Sequence, residues 1–188
     1  MLLPVVAYGH PVLKRIAEDI ETDYPNLQQL IADMFETMYH SEGVGLAAPQ
    51  INKSIRLFVI DADPFHENYP EAKGFKKVFI NPEIVEVSDE TWTFNEGCLS
   101  LPDMHEDVVR PSKITINYLD ENFVEHEEEY DGICARVIQH EYDHLEGKVY
   151  VDRVAPMRKM MLKNKLRNIS EGNVYVDYKM IFPNKRRR

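Results

Sequence analysis

The chain has 188 residues, 44% of them hydrophobic and 29% charged, which suits one domain with its own core. No stretch approaches the roughly 20 apolar residues of a membrane span, and the opening Met-Leu-Leu-Pro-Val-Val-Ala-Tyr-Gly-His lacks the basic start of a secretory leader. A cytoplasmic protein with no membrane partner is therefore expected, its two cysteines, Cys98 and Cys134, staying reduced. The net charge of −10 is uneven: residues 1–152 carry −19 and residues 153–188 carry +9, an acidic body with a basic end that points to an anionic partner.

Leu27, Leu30, Ile31, Met34, Phe35 and Met38 recur at helical spacing, with Gly43 as the expected stop. Residues 43–50 read as a loop and Arg56–Ile60 as a strand. Residues 61–76, with Pro64, Pro70 and Gly74, read as an exposed excursion. Val78–Ile80 reads as a short strand stopped by Asn81-Pro82. Ile114–Tyr118 alternates like a half-buried strand and is expected to pair with Phe123–Tyr130 across a turn at 120–122. Ile133, Cys134, Val137, Ile138 and Leu145 mark a second helix ending before Gly147. Pro156 opens a third, running through Met160, Met161, Leu162 and Leu166. The order predicts a single α+β domain over 1–188, with a loosely ordered basic tail over 170–188.

The second helix contains His140-Glu141-Tyr142-Asp143-His144, an H-E-x-x-H. Imidazoles four residues apart share a helix face and can reach one metal ion, with the glutamate beside them to take a proton from water. A catalytic site of this type wants a third protein ligand and one open position. A third histidine six residues on is absent, because Tyr150 stands there. Glu171, the next downstream carboxylate after Asp152, lies in a polar Ser-Glu-Gly-Asn turn. His66, His105 and His126 lack a supporting context. Cys98, in Glu96-Gly97-Cys98-Leu99-Ser100, is the better candidate, whereas Cys134 reads as a core thiol. Three readings stay open on these residues: an amide hydrolase, an H-E-x-x-H endopeptidase, and a non-enzymatic metal-stabilised or ribosome-binding module.

Three segments narrow the choice by resemblance. Gly43-Val44-Gly45-Leu46-Ala47-Ala48-Pro49-Gln50 is similar to the G-φ-G-φ-A-A-x-Q motif of peptide deformylases, where φ is an apolar residue. Glu96-Gly97-Cys98-Leu99-Ser100 resembles their E-G-C-φ-S, and Gln139–His144 their Q-H-E-x-D-H. All three occur in family order. The unbroken Leu101-Pro102 segment and the helical stretch 156–169 resemble the bacterial type I members. The resemblance implies a compact fold of small antiparallel sheets around the metal helix, with a C-terminal helix. It also implies removal of the formyl group from the N-terminal formylmethionine of nascent polypeptides.

The same resemblance carries roles onto individual residues. Cys98, His140 and His144 are expected to bind one divalent metal, ferrous iron natively, with zinc, nickel or cobalt as substitutes. Glu141 is expected to move the proton, and the Gln50 amide and the Leu99 N–H to stabilise the oxyanion. Gly45 and Gly97 are expected along the substrate backbone. Val44, Phe94, Ile133 and Val137 are expected to form the methionine pocket, with the stem of Arg136 at its rim. Glu96 and Arg110 are expected to pair behind the metal ligands. The basic segment 153–188 is expected to dock on the ribosome without reading a nucleic-acid sequence.

Overall fold

The central strand explains the layering. Leu57-Phe58-Val59-Ile60 is a continuous apolar run, and in the computed structural model, which describes residues 1–185, it lies in strand β3 (Leu57–Asp61), buried on both faces. Successive side chains point to opposite sides of a sheet. Leu57 and Val59 accordingly join a cluster with Leu30, Ile31, Met34 and Met38 of the first helix, α1 (Leu27–His40). Phe58 and Ile60 join a second cluster with Ile133, Val137 and Ile138 of helix α2 (Gly132–Leu145). One antiparallel sheet thus holds the two long helices on opposite faces.

That sheet has five strands, in the order β2 (Gly45–Ala47), β3, β4 (Lys76–Val87), β7 (Lys113–Leu119) and β8 (Glu125–Asp131). The hairpin β5 (Thr91–Cys98) and β6 (Leu101–Pro111) stands apart, with Leu99-Ser100 as its turn. Strand β1 (Val5–Val6) pairs in parallel with β9 (Met180–Ile181). The chain is a single α+β domain of small, mainly antiparallel sheets, as the sequence predicts. No helix among the described residues is long and apolar enough to cross a membrane.

Several local expectations change. α1 ends in a Schellman motif, with Gly43 N–H bonded to the Met38 carbonyl and Glu42 N–H to that of Tyr39. The left-handed residue is Glu42 (φ 58°), not the expected Gly43. Residues 43–50 are not a plain loop: they form β2 and a 3₁₀ turn, Ala48–Ile51. Asn81-Pro82 does not stop its strand. The register slips between Ile80 and Glu83, Asn81 takes φ 48°, and β4 continues to Val87 as a bulged strand. The 61–76 segment is largely exposed, as expected, but it is ordered. It folds into two 3₁₀ turns, and Phe65, Tyr69 and Phe75 pack on the α2 cluster. Its Glu71 carboxylate accepts the Ile133 N–H at 3.2 Å, satisfying one of the open amides at the start of α2.

The third helix is two: α3 (Pro156–Met161) and α4 (Lys163–Glu171), separated at Leu162. Leu162, Leu166 and Ile169 face the core, whereas Met160 and Met161, which the helical pattern included, are exposed. The segment expected to be loose from residue 170 is tied to the body through residue 185. Val5 N–H bonds the Lys179 carbonyl, and Val174, Met180 and Phe182 pack on a third apolar cluster with Leu101 and Tyr150. Arg186, Arg187 and Arg188 lie outside the described residues.

Candidate active site and metal centre

His140 and His144 stand one turn apart on α2, their ring centroids 5.3 Å from each other. The last residue of β5 brings Cys98 to them, with Sγ 3.5 Å from His144 Nε2. One donor atom from each of the three residues lies within 4.8 Å of the others. The expected ligands therefore converge, although Cys98 and His140 lie 42 positions apart in sequence. The set fits a single divalent ion. His140 Nδ1 is held by Glu96 Oε1 at 2.7 Å, leaving Nε2 as its ligating atom. Burial, and the charge of His140, push the His144 pKa down to about 3, the neutral imidazole that ligation needs.

Glu96 anchors a buried charge network. Arg110 donates to it twice, at 2.7 and 2.9 Å, and Arg136 donates at 2.8 Å. Arg110 also reaches Asp143 at 2.8 Å, which Arg153 holds at 2.5 and 2.6 Å. Burial opposes ionisation of Glu96, but hydrogen bonds from His140 and Arg110 outweigh it and hold the carboxyl well below the usual range. The expected Glu96–Arg110 pair is present. Arg136 lines the cavity described below, but its guanidinium turns away from water and is buried, with Nη1 and Nη2 bonded to Glu96 and to the Val108 and Trp92 carbonyls.

Glu141 is 4% exposed, and its Oε2 has no hydrogen-bond partner. Burial raises its pKa to about 7, with Glu96 and Asp143 pushing the same way against His140 and Arg110. A carboxyl near 7 can both take and return a proton at neutral pH. Its side chain also explains Gly45: a Cβ there would lie 2.8 Å from Glu141 Cδ. Gln50 is buried on its 3₁₀ turn. Its Oε1 accepts the Ala47 N–H at 2.9 Å, so Nε2 faces Cys98 Sγ (3.4 Å) and Ser100 Oγ (3.2 Å).

These groups open onto a cavity of about 840 Å³. Val44, Gly45, Phe94, Gly97, Leu99, Arg136 and Val137 line it, and Phe65 joins them from the 61–76 segment. Ile133 does not line it; it is fully buried in the core cluster that also contains Val137. The space above Gly97 is taken by His105, its cross-strand partner, whose ring would meet a Cβ at 2.5 Å. Tyr150, at the position where a third histidine is absent, stacks on His140 at 6.0 Å and donates to the Met104 carbonyl at 2.8 Å. Sequence reasoning also missed Tyr175–Tyr178, which form one wall of the cavity. The available signal was the alternation of Val174, Val176, Tyr178 and Met180.

The family model described as polypeptide deformylase matches residues 2–160. A peptide deformylase of Christiangramia forsetii is 52% identical over 191 residues, covering 98% of this chain and 97% of that protein. The crystal structure of a Legionella pneumophila peptide deformylase superposes with a TM-score of 0.79 at 39% identity, covering 92% of this chain and 98% of that one. A class I type b peptide deformylase of Acinetobacter baumannii gives 0.76 at 38% identity, covering 82% and 99%. With residues 2–160 matched by the family model and a relative 52% identical across nearly its full length, the chain belongs to the peptide deformylase family.

Proposed function

We infer that this protein hydrolyses the formyl amide at the N-terminal formylmethionine of nascent polypeptides, releasing formate and a free amino terminus. The observation that carries this reading is the meeting of Cys98, His140 and His144 beside a buried carboxyl, Glu141, at the floor of a cavity large enough for a methionine side chain. The test is formate release from a formyl-methionyl tripeptide by protein purified without air. Formate with every internal peptide bond intact supports it. Cleavage of internal bonds without formate would favour an endopeptidase, and metal binding with neither product a non-enzymatic module.

A divalent metal held by the three ligands supplies the Lewis acidity that lets water attack near neutral pH. The remaining work falls to side chains and backbone. Glu141 accepts the proton of the attacking water and returns it to the departing amine, so that the C–N bond breaks to a neutral nitrogen. Gln50 Nε2, aimed by the bond between its Oε1 and Ala47, donates to the oxygen as it becomes an oxyanion, and Leu99 N–H is the second donor. Val44, Phe65, Phe94 and Val137 hold the methionine side chain, and the backbone at Gly45 aligns the peptide as an added strand.

Ferrous iron is the proposed native metal, with zinc, nickel or cobalt able to occupy the same donors. Full activity of zinc-loaded protein in air would contradict that choice. The proposed setting is the cytoplasm, where nascent chains leave the ribosome, with docking through the basic C-terminal segment. Part of the basic charge is already used: Arg153, Arg158 and Lys159 pair with Asp143, Glu106 and Asp152. Lys163, Lys165 and Arg167 are exposed on α4, and among the described residues none forms an ion pair. Charge reversal of Lys163 and Arg167 should lower salt-sensitive ribosome co-sedimentation without changing the rate on a short peptide. Unchanged sedimentation would remove this surface as the docking element.

A further inference from the structure

The oxyanion donor assigned to Leu99 is a backbone group in a two-residue turn, and such a group is only as well aimed as the turn is rigid. Three side-chain contacts fix this turn. The Leu99 side chain packs over Gly43, where a Cβ would come within 2.9 Å of Leu99 Cδ1. Gln50 Nε2 holds Ser100 Oγ at 3.2 Å. The third contact comes from far along the chain: Tyr178 Oη donates to the Leu99 carbonyl at 2.7 Å. The first two come from residues within 2–160, the span common to the family, whereas Tyr178 lies beyond it.

Tyr178 is itself firmly placed. The next residue, Lys179, accepts the Val5 N–H at 2.9 Å, and Met180 and Ile181 pair with Val5 and Val6. On the other side of the turn, Tyr8 N–H bonds the Ser100 carbonyl at 2.8 Å, so β1 links the terminal strand to the turn. Val174, Tyr178 and Met180 are more buried than Tyr175, Asp177 and Lys179, as expected of an extended strap with one face inward.

We propose that Tyr178 is a positioning residue for catalysis. By holding the Leu99 carbonyl, it fixes the Cys98-Leu99-Ser100 backbone and keeps the Leu99 N–H aimed at the developing oxyanion. The proposal rests on the reading of Leu99 as a donor. Losing such a donor outright costs about 100- to 1,000-fold in rate, so loosening its support should cost about tenfold.

The test is Tyr178→Phe, which keeps the ring and removes only the hydroxyl. kcat on a formyl-methionyl tripeptide should fall about tenfold with KM unchanged, because the donor acts in the transition state and not on the bound substrate. The second readout is the Leu99 amide resonance. Cys98-Leu99 is the only Cys-Leu step in the chain, so carbonyl-labelled cysteine with nitrogen-labelled leucine isolates one signal in zinc-loaded protein. That signal should shift in the variant. An unmoved signal would overturn the proposal while leaving the donor role of Leu99 intact. A shifted signal with unchanged kcat would overturn it through its premise, since Leu99 would then not be a donor. Equal changes in kcat and KM-controlled binding, or a matching loss in thermal stability, would reduce Tyr178 to a structural contact.

Discussion

Replacing Glu96 with Gln is the sharpest probe of how the metal ligands are held. The carboxylate receives four charge-assisted bonds, two from Arg110 and one each from Arg136 and His140, with its side chain 3% exposed. The buried network balances two carboxylates, Glu96 and Asp143, against the guanidiniums of Arg110, Arg136 and the half-exposed Arg153. Glutamine keeps the shape but leaves one carboxylate against three guanidiniums, and its amide N–H₂ faces donors. Breaking a buried pair in this way costs about 3–5 kcal/mol. In a chain of this size that is roughly 10 °C in thermal midpoint. His140 would also lose the acceptor that orients its ring, lowering metal affinity about 10- to 100-fold. The two readouts are scanning calorimetry of the metal-free protein and competitive metal titration. The pH dependence follows from the depressed pKa. A carboxyl lowered below its ordinary 4.5 contributes stability that is fully present above that value and is lost as pH falls through its folded-state pKa. The advantage of wild type over Glu96→Gln should therefore shrink below about pH 4.5. A midpoint within 1–2 °C of wild type (roughly half a kcal/mol), with unaltered metal affinity, would refute the assignment of Glu96 as the anchor.

Glu141→Ala should abolish formate release while one metal per chain is retained, since the carboxyl sits beside the ligands and is not one of them; loss of stoichiometric metal would show the opposite. Cys98→Ser should strongly weaken metal binding, whereas Cys134→Ser should leave it intact. Cys134 is buried, with its thiol pushed up to about 11 by burial and by Glu71 and Asp131, so alkylation at pH 8 in the folded protein should be slow; fast labelling there would contradict this. Gly45→Ala should cost most of the activity, because the new methyl meets the Glu141 carboxylate; near-native turnover would mean that the cleft yields more easily than the contact implies.

The parts of the fold that were legible in the sequence are those where hydrophobicity alone sets the pattern. α1, α2 and β7 carry clean periodicity, β3 is a continuous apolar run, and β8 follows β7 across a turn; all appear at or near their expected bounds. The β5–β6 hairpin was not legible. Its inward-facing positions include Glu96, Glu106 and Arg110, so the site's own charges break the period-two signal that a strand otherwise shows. The same residues make the hairpin functional, because it delivers Cys98 to the helix and supplies the partner of His140.

Punctuation residues misled in a related way. Asn81-Pro82 reads as a stop, yet the Asn81 side chain bonds the Ile20 N–H and carbonyl, each at 2.9 Å, so the bulge it creates is satisfied from outside the sheet. The ligand set was legible because two short motifs carry it. Of its support, the Glu96–Arg110 pair was legible by resemblance, whereas the contacts of Arg136 and Tyr178 were not, because they go to backbone carbonyls that no local pattern announces. Arg136 illustrates the limit best. On an apolar helix face an arginine reads as a stem lying over a pocket with its charge in water. Here the carboxylate of Glu96 and two carbonyls lie within its reach, so the charge turns inward and braces the residue that orients His140.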